Sequence, residues 1–412
     1  MTEPHVAEGV RGTVQEVAVA LLPELPGIGA EATDHICDQV PDIVRAGARD
    51  VVLVTCQAHA AIFLDHLIRG VPLASYAPTP EIRELTRTAA RRGLPLTAVV
   101  RGYRVGAHYL IARWTDAVAE HGPGDRSALE AVKAGTSFIL LWLEMIIEQL
   151  TAEYRDEDER LARERSLARV ELVRQVLGEP DTDIAAASER LGYRLKGRHI
   201  ALALRARTDK PDAGASLEGA VRELARAMRA TSHLAARVDM RTVWCWMACG
   251  DSSPPRLGRT GLPVLTAAGR PGVGLDGFRR SHREALDALR IAELAGRDGG
   301  TVTYYDEVGV AALCSADFDK CAEFVRTELG ALCGAGPVAG RHRETLLAFY
   351  GANSNYRATA AELGLHHNTV RYRLDQAERA LGHGPAERRL SLELALHLHS
   401  LLGDSIDQHP AQ

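Results

Sequence analysis

The chain has 412 residues, 46% hydrophobic and 25% charged, a composition that excludes a single small module and wholesale disorder and leaves room for about two to four domains. Lys+Arg 49 against Asp+Glu 54 gives a formal charge of −5, so no chain-wide field draws the protein to nucleic acid or anionic lipid, and any polyanion site is local. The cysteines, at Cys37, Cys56, Cys245, Cys249, Cys314, Cys321 and Cys333, are odd in number and scattered, which excludes a secreted disulfide framework and fits a reducing cytosol.

The first residues, MTEPHVAEGVRG, lack the apolar stretch of a secretory signal. From Val10 to Tyr154 the apolar residues recur three or four apart, predicting an all-helical bundle of four to six helices. Breaks are expected at Pro23, Pro26 and Gly27, at Pro72, at Pro78 and Pro80, and at Gly122-Pro123-Gly124. The longest apolar run, FILLWLEMII, is interrupted by Glu144 and is too short to span a bilayer, so a cytoplasmic protein without membrane contact is expected. Arg101, Tyr103, Arg104 and His108 form a polar cluster in an apolar helix. Such a cluster suits an anionic effector, but a structural network or an interface is the favoured expectation.

Residues 151–177 are charged, free of interior Gly and Pro, and rich in helix formers, predicting a long connecting helix. Ile147, Leu150, Tyr154, Leu161 and Ala168 keep a heptad-like seam, which Glu157 and Glu164 interrupt, so a solvated connector and a dimeric transmitting helix both remain open. From His199 the pattern turns to β-α-β-β-β-α-β, the order of a ferredoxin-like sheet with helices on one face and an added strand. The Gly-rich stretch CGAGPVAG then marks a boundary.

Residues 341–403 read as four helices. Within the middle pair, Ala360 leaves room where two helices cross, Gly364 permits a turn with positive φ, and Val370 plugs the joint. Leu374 continues the stripe of Val370 toward Ala377 and Leu381. The opposite face carries Asn368, Tyr372, Asp375 and Arg379, flanked by Thr369 and Arg371. Asn and Arg near the start of such a helix can pair with adenine and guanine edges in the major groove. Tyr356 and Arg357 begin the preceding helix, where phosphate contacts are expected with help from backbone N–H groups. A Gly-turned hairpin can also merely pack on a neighbour. The domain is not basic, with eight Arg and eight Asp or Glu from Arg341 onward, so useful operator affinity calls for a dimer.

The stretches TAAELGLHHNTVRYRLDQAERALG and RRLSLELALHLHSLL resemble the C-terminal helix-turn-helix of the PucR/CdaR family of bacterial transcriptional regulators. GLPLTAVVRGYRVGAHYL is similar to the helical sensory-type domain of many members and of RsbR-like stress regulators, and SHREALDALRIA to the end of their degenerate GGDEF-like domain. The resemblance implies recognition positions at His367, Asn368, Thr369, Arg371, Tyr372 and Arg373. His367 stands where Arg is common, which weakens a phosphate contact there.

Several signals look catalytic. Gly272, Gly274 and Gly277 satisfy G-x-G-x-x-G, but late in a ferredoxin-like order rather than at the first strand of a parallel unit, and a loop feeding a helix capped by Ser281 is expected instead. The central hairpin, Val238-Asp239-Met240-Arg241-Thr242, lacks the Gly-Gly turn a cyclase needs, and Asp209 with Asp239 makes a poor metal site. Cys245 and Cys249 lack a companion ligand, and His397 and His399 diverge on one helix.

The sequence thus predicts a multidomain α and α+β protein: a helical sensory-type bundle over 10–150, a connecting helix over 151–177, a central ferredoxin-like, degenerate GGDEF-like α/β domain over 178–333, and a C-terminal helix-turn-helix bundle over 341–403. The expected function is regulation of transcription by a homodimer or higher oligomer on double-stranded operator DNA, with no enzyme activity, cofactor or metal and with a small-molecule effector of unspecified identity. The alternative is a non-catalytic signalling scaffold acting through protein partners.

Overall fold

A computed structural model describes residues 8–71, 80–122, 126–206, 213–250, 254–260 and 263–409. Pro72, Pro78, Pro123, Gly124 and Asp209 lie outside these residues. The chain divides into two compact units, Met1–Arg165 and Ser166–Gln412.

The first unit is all-helical: α1 (Glu8–Leu21), α2 (Leu25–Gln39), the short α3 (Pro41–Arg45), α4 (Arg49–Arg69), α5 (Pro80–Arg91), α6 (Leu96–His121) and the first part of α7 (Arg126–Gly178). These seven described helices exceed the four to six expected, because the chain re-enters a helix after only one to three residues at Val40 and at Leu22–Glu24. Pro26 and Gly27 fall inside the first turn of α2 and do not break it, as Pro costs no hydrogen bond there. The core gathers Phe63, Trp114, Phe138 and Ile146. Gly135 is required under Trp114, since a Cβ there would come 2.2 Å from the indole nitrogen; that nitrogen donates to the Ala131 carbonyl at 3.1 Å. One helix, α4, has the length and mean hydropathy, 1.6, of a membrane span, a feature the sequence reading passed over. Its Val52, Ala60, Phe63, Leu64 and Leu67 are buried inside the bundle.

The connecting segment is continuous with the bundle: α7 is one helix of 53 residues that starts in the bundle. Leu150 is buried and the Tyr154 hydroxyl donates to the Leu94 carbonyl at 2.8 Å. Glu157, which interrupts the heptad-like seam, is buried and accepts from Arg160 at 2.6 Å and Arg91 at 3.3 Å. The Arg160 hydrogen bond, above all, holds its carboxyl down at about 2. Residues 162–165 and 167–169 are exposed, with Leu167 at 68%, before Val170, Val173 and Val176 enter the core of the second unit.

In the second unit α8 (Ile184–Leu191) is capped by Asp183, whose carboxylate accepts from the Ala185 and Ala186 N–H groups. A sheet follows: β1 (Arg198–Ala206), α9 (Ala213–Ala227), β2 (Ser232–Arg237), β3 (Thr242–Cys249), β4 (Val264–Ala268), β5 (Gly272–Val273), α10 (Gly274–Leu294) and β6 (Val302–Tyr304). The order is β2-β3-β1-β4-β6, with β5 on β1; only β4 and β6 pair in parallel. The five expected strands follow in the expected order, with the two-residue β5 added before α10, but the helices do not share a face. Ile200, Leu202 and Leu204 pack with Leu217, Val221 and Leu224 of α9, whereas Ala201 and Ala203 pack with Phe278, Ala285 and Ala288 of α10. Successive side chains of a strand point to opposite faces, so β1, apolar at each of these positions, must be covered on both.

Two glycines of the apparent nucleotide fingerprint are steric: a Cβ on Gly272 would lie 2.5 Å from Gly277 Cα, and one on Gly277 would lie 2.3 Å from the Gly272 carbonyl carbon. The third, Gly274, takes a positive φ of 67°, and a Cβ on the nearby Gly269 would lie 2.0 Å from the Ser281 carbonyl oxygen. Ser281 is not a cap: α10 starts at Gly274, and Ser281 is a fully buried interior residue whose Oγ accepts from the Ala201 N–H at 2.8 Å. It serves β1 where pairing passes from β4 to β5. Glu284 accepts from the Arg270 N–H at 2.7 Å, and Arg290 donates to the Ala312 and Ser315 carbonyls at 2.7 Å. The polar residues of SHREALDALRIA thus join α10 to its surroundings.

The chain continues through α11 (Tyr305–Cys314), α12 (Phe318–Leu329), α13 (Pro337–Gly351), α14 (Tyr356–Leu363), α15 (His367–Leu381) and α16 (Arg389–Gln408). Arg326 of α12 donates to the Ile406 carbonyl at 2.6 Å, and Arg388 pairs with the buried Glu328.

Candidate nucleic-acid interface

The site is built on α14 and α15. Asn355 caps α14, its side chain accepting from the Arg357 and Ala358 N–H groups at 3.0 and 3.1 Å. The Arg357 and Ala358 N–H groups are therefore occupied within the cap. Thr359 and Ala360 are buried at the crossing. Gly364 has φ +63°, a left-handed conformation costly for residues with a Cβ. It lets the Leu365 N–H return to the Ala360 carbonyl at 2.9 Å.

Helix α15 opens on His366, whose Nδ1 accepts from the Asn368 N–H at 3.3 Å. That bond places the imidazole proton on Nε2. Val370, Leu374 and Ala377 are buried against the rest of the unit, and Leu381 packs partly against it. The other face, His367, Asn368, Thr369, Arg371, Tyr372, Asp375 and Arg379, is exposed, Tyr372 at 63%. Among the described residues Arg357, Arg371 and Arg379 pair with no carboxylate. The guanidinium of Arg371 lies 5.6 Å over the ring of Tyr356, which rests 5.0 Å from Phe349. This stack joins the start of α14 to the exposed face of α15.

Arg373 is set apart. It is half-buried and reaches toward Thr345 Oγ1 of α13 at 3.5 Å, so it does not share the exposed row. The sequence reading missed His366, an unusual cap residue, and the α13–α14 turn, where Asn353 and Ser354 both take positive φ, 51° and 61°. Three adjacent small polar residues, Asn-Ser-Asn, were the available sign, since Asn tolerates that region.

The polar cluster of the first unit separates. Arg101, Arg104 and His108 are exposed on one side of α6, while the Tyr103 hydroxyl is buried; at 100° per residue, position 103 lies opposite 101 and 108. In the second unit Asp239 of the hairpin is exposed. Burial pushes the Cys245 thiol up to about 12 and raises that of Cys249. Cys333, His399 and Asp407 bring donor atoms within 4.8 Å of one another, a grouping not anticipated from spacing.

Three family models match in succession: the RsbT co-antagonist protein rsbRD N-terminal domain over 26–169, a GGDEF-like domain over 177–291, and the PucR C-terminal helix-turn-helix domain over 342–398. An uncharacterized protein in the pkwA 5′ region of Thermomonospora curvata is 36% identical over 150 residues, covering 36% of this chain and 79% of that protein. The transcriptional activator PmfR of Paenarthrobacter nicotinovorans is 32% identical over 117 residues, 26% of this chain and 25% of that protein. The crystal structure of a regulator of polyketide synthase expression from Bifidobacterium adolescentis is 18% identical and covers 56% of this chain and 92% of its own, at a TM-score of 0.29, too low to argue a shared arrangement. With these three domains in this order along one chain, the protein belongs to the PucR/CdaR family of transcriptional regulators.

Proposed function

We propose that the protein binds operator DNA as a homodimer through α14 and α15, under control of its N-terminal bundle, in the cytoplasm. The carrying observation is the exposed row of His367, Asn368, Thr369, Arg371 and Tyr372 on a helix whose opposite face is buried. Asn and Arg there have the geometry to read base edges. Tyr356, Arg357 and, from the side, Arg373 are assigned to the DNA backbone. Ala360, Gly364, Val370 and Leu374 hold the two helices in register. Dimerisation follows from the balanced charge of the domain: one reader with few phosphate contacts binds weakly, and two linked readers gain by effective concentration. They must sit about 34 Å apart, or a multiple, to meet major grooves on one side of the duplex.

The domain division proposed is that of the sequence, with sensory residues 10–150, connector 151–177, a GGDEF-like domain at 178–333 that performs no catalysis, and a reader at 341–403. Control is a population shift carried along α7, whose single helix runs through the connector. Selection of genomic fragments by the full chain, followed by footprinting, tests this. Two half-sites spaced by a whole number of helical turns are expected; capture without sequence preference contradicts the reading.

A second reading, a non-catalytic scaffold acting through protein partners, is favoured by the match of residues 26–169 to a domain described as an RsbT co-antagonist. It predicts no DNA binding even at low salt.

A further inference from the structure

The first unit contains a partly open apolar cavity of about 90 Å³, walled by Ile36, Val52, Ala60, Leu94, Val99 and Ile146 among others. One water needs about 10–15 Å³ of such space, so this cavity holds several, or one small organic molecule. No Asp, Glu, Lys or Arg among the described residues lines it. Arg101 and Arg104 lie outside, on the exposed side of α6, so the cavity does not suit the anionic effector considered from the sequence.

Two side chains in the wall carry polar atoms without a partner among the described residues: His59 Nε2 and the Tyr103 hydroxyl. Their rings are 5.4 Å apart, centroid to centroid. The protonation of His59 follows from its other nitrogen, because Nδ1 accepts from the Trp142 indole N–H at 3.0 Å and so leaves the proton on Nε2. Burial drives the His59 pKa down to about 4, keeping the ring neutral near pH 7. The wall residues therefore carry one buried N–H donor and one buried O–H donor, on rings packed against each other in apolar surroundings. Other polar groups of the wall are engaged: the Thr55 hydroxyl donates to the Val51 carbonyl and that of Tyr109 to Glu31.

We propose that this cavity is a binding site for a small, neutral, mostly apolar molecule bearing one carbonyl oxygen, which accepts from His59 Nε2–H and Tyr103 O–H while its hydrocarbon part fills the space between α2, α4, α6 and α7. A buried donor with no acceptor is destabilising, and a carbonyl supplies what both lack. A carboxylate is disfavoured, having no cation to offset its desolvation. The proposal rests on the N-terminal-control reading only for its consequence, that such a molecule acts as effector.

The test uses the full chain and 4-fluoroacetophenone, observed by fluorine NMR, beside 1-ethyl-4-fluorobenzene, which has nearly the same shape without the oxygen. Saturable binding of the ketone is expected, tighter than the hydrocarbon by roughly three- to tenfold, the value of a neutral hydrogen bond. Tyr103→Phe should reduce that preference, leave hydrocarbon binding unchanged, and not lower Tm, since it removes an unpaired buried hydroxyl. No binding of either probe, equal binding of both, or an unchanged preference in Tyr103→Phe overturns the proposal. Operator binding measured on the same preparation separates the two readings: DNA bound without the ketone removes the cavity proposal alone, and ketone bound without DNA keeps the cavity and removes the DNA-binding reading.

Discussion

Ser281→Ala isolates one hydrogen bond on which the central sheet depends. The Ser281 hydroxyl, fully buried, is the acceptor for the Ala201 N–H at 2.8 Å, while the Ala201 carbonyl is taken separately by the Gly269 N–H at 3.0 Å. Removing the hydroxyl leaves a buried N–H without an acceptor, a loss of about 1–3 kcal/mol. Relaxation has little room, because the Gly269 backbone already lies against the Ser281 backbone so closely that a Cβ there would be 2.0 Å from the Ser281 carbonyl oxygen. We therefore expect about 2 kcal/mol, read as a lower denaturant midpoint at unchanged m-value for the second unit. Hydrogen exchange at the Ala201 amide should accelerate with it. Unchanged stability and unchanged protection of that amide would refute the role assigned to Ser281.

Other substitutions probe the same framework. Gly364→Ala forces a Cβ into a left-handed turn and should destabilise the helix-turn-helix by about 1 kcal/mol, measured as the Tm of the unit; no change would mean that the turn is not required. Gly277→Ala should be far worse, because the added carbon meets backbone at 2.3 Å, and near-normal soluble expression with an unchanged Tm would contradict the helix–strand contact. His282, buried 4.5 Å from the Trp244 ring and 5.0 Å from that of Trp246, is driven by burial from 6.5 down to about 4. A folded pKa below the unfolded one means that the native state binds fewer protons; this contribution is full above about pH 6.5 and is lost as pH falls toward 4, by up to about 3 kcal/mol. The pH dependence of urea unfolding should flatten in that window in His282→Gln, and an identical slope would contradict it.

The helices of the C-terminal domain were legible because each carries its own punctuation. Gly364 and Gly382 end α14 and α15 in left-handed caps, and Val370, Leu374 and Ala377 keep one stripe buried. The strand order was legible too, but the covering of both sheet faces was not, although the unbroken apolar run of β1 signalled it. Ser281 resembles a cap locally, and its partner lies 80 residues away, beyond any local pattern. His59 and Trp142, whose indole N–H donates to His59 Nδ1, are similarly remote, 83 residues apart. Grouping Arg101, Tyr103, Arg104 and His108 by proximity in sequence ignored the helical rotation that turns Tyr103 inward. Arg373 was assigned to the recognition row by resemblance, and its reach toward Thr345 sets it aside from that row.

The most direct measurement is fluorescence anisotropy of a selected operator fragment titrated with the full chain and with Asn368→Ala and Arg371→Ala, at fixed salt and with folding checked by circular dichroism. Both side chains are exposed, so the variants should fold as the parent does and lose about 1–3 kcal/mol of operator affinity each, with non-specific binding nearly unchanged for Asn368→Ala. Parental affinity and sequence preference in both variants would contradict base reading by α15.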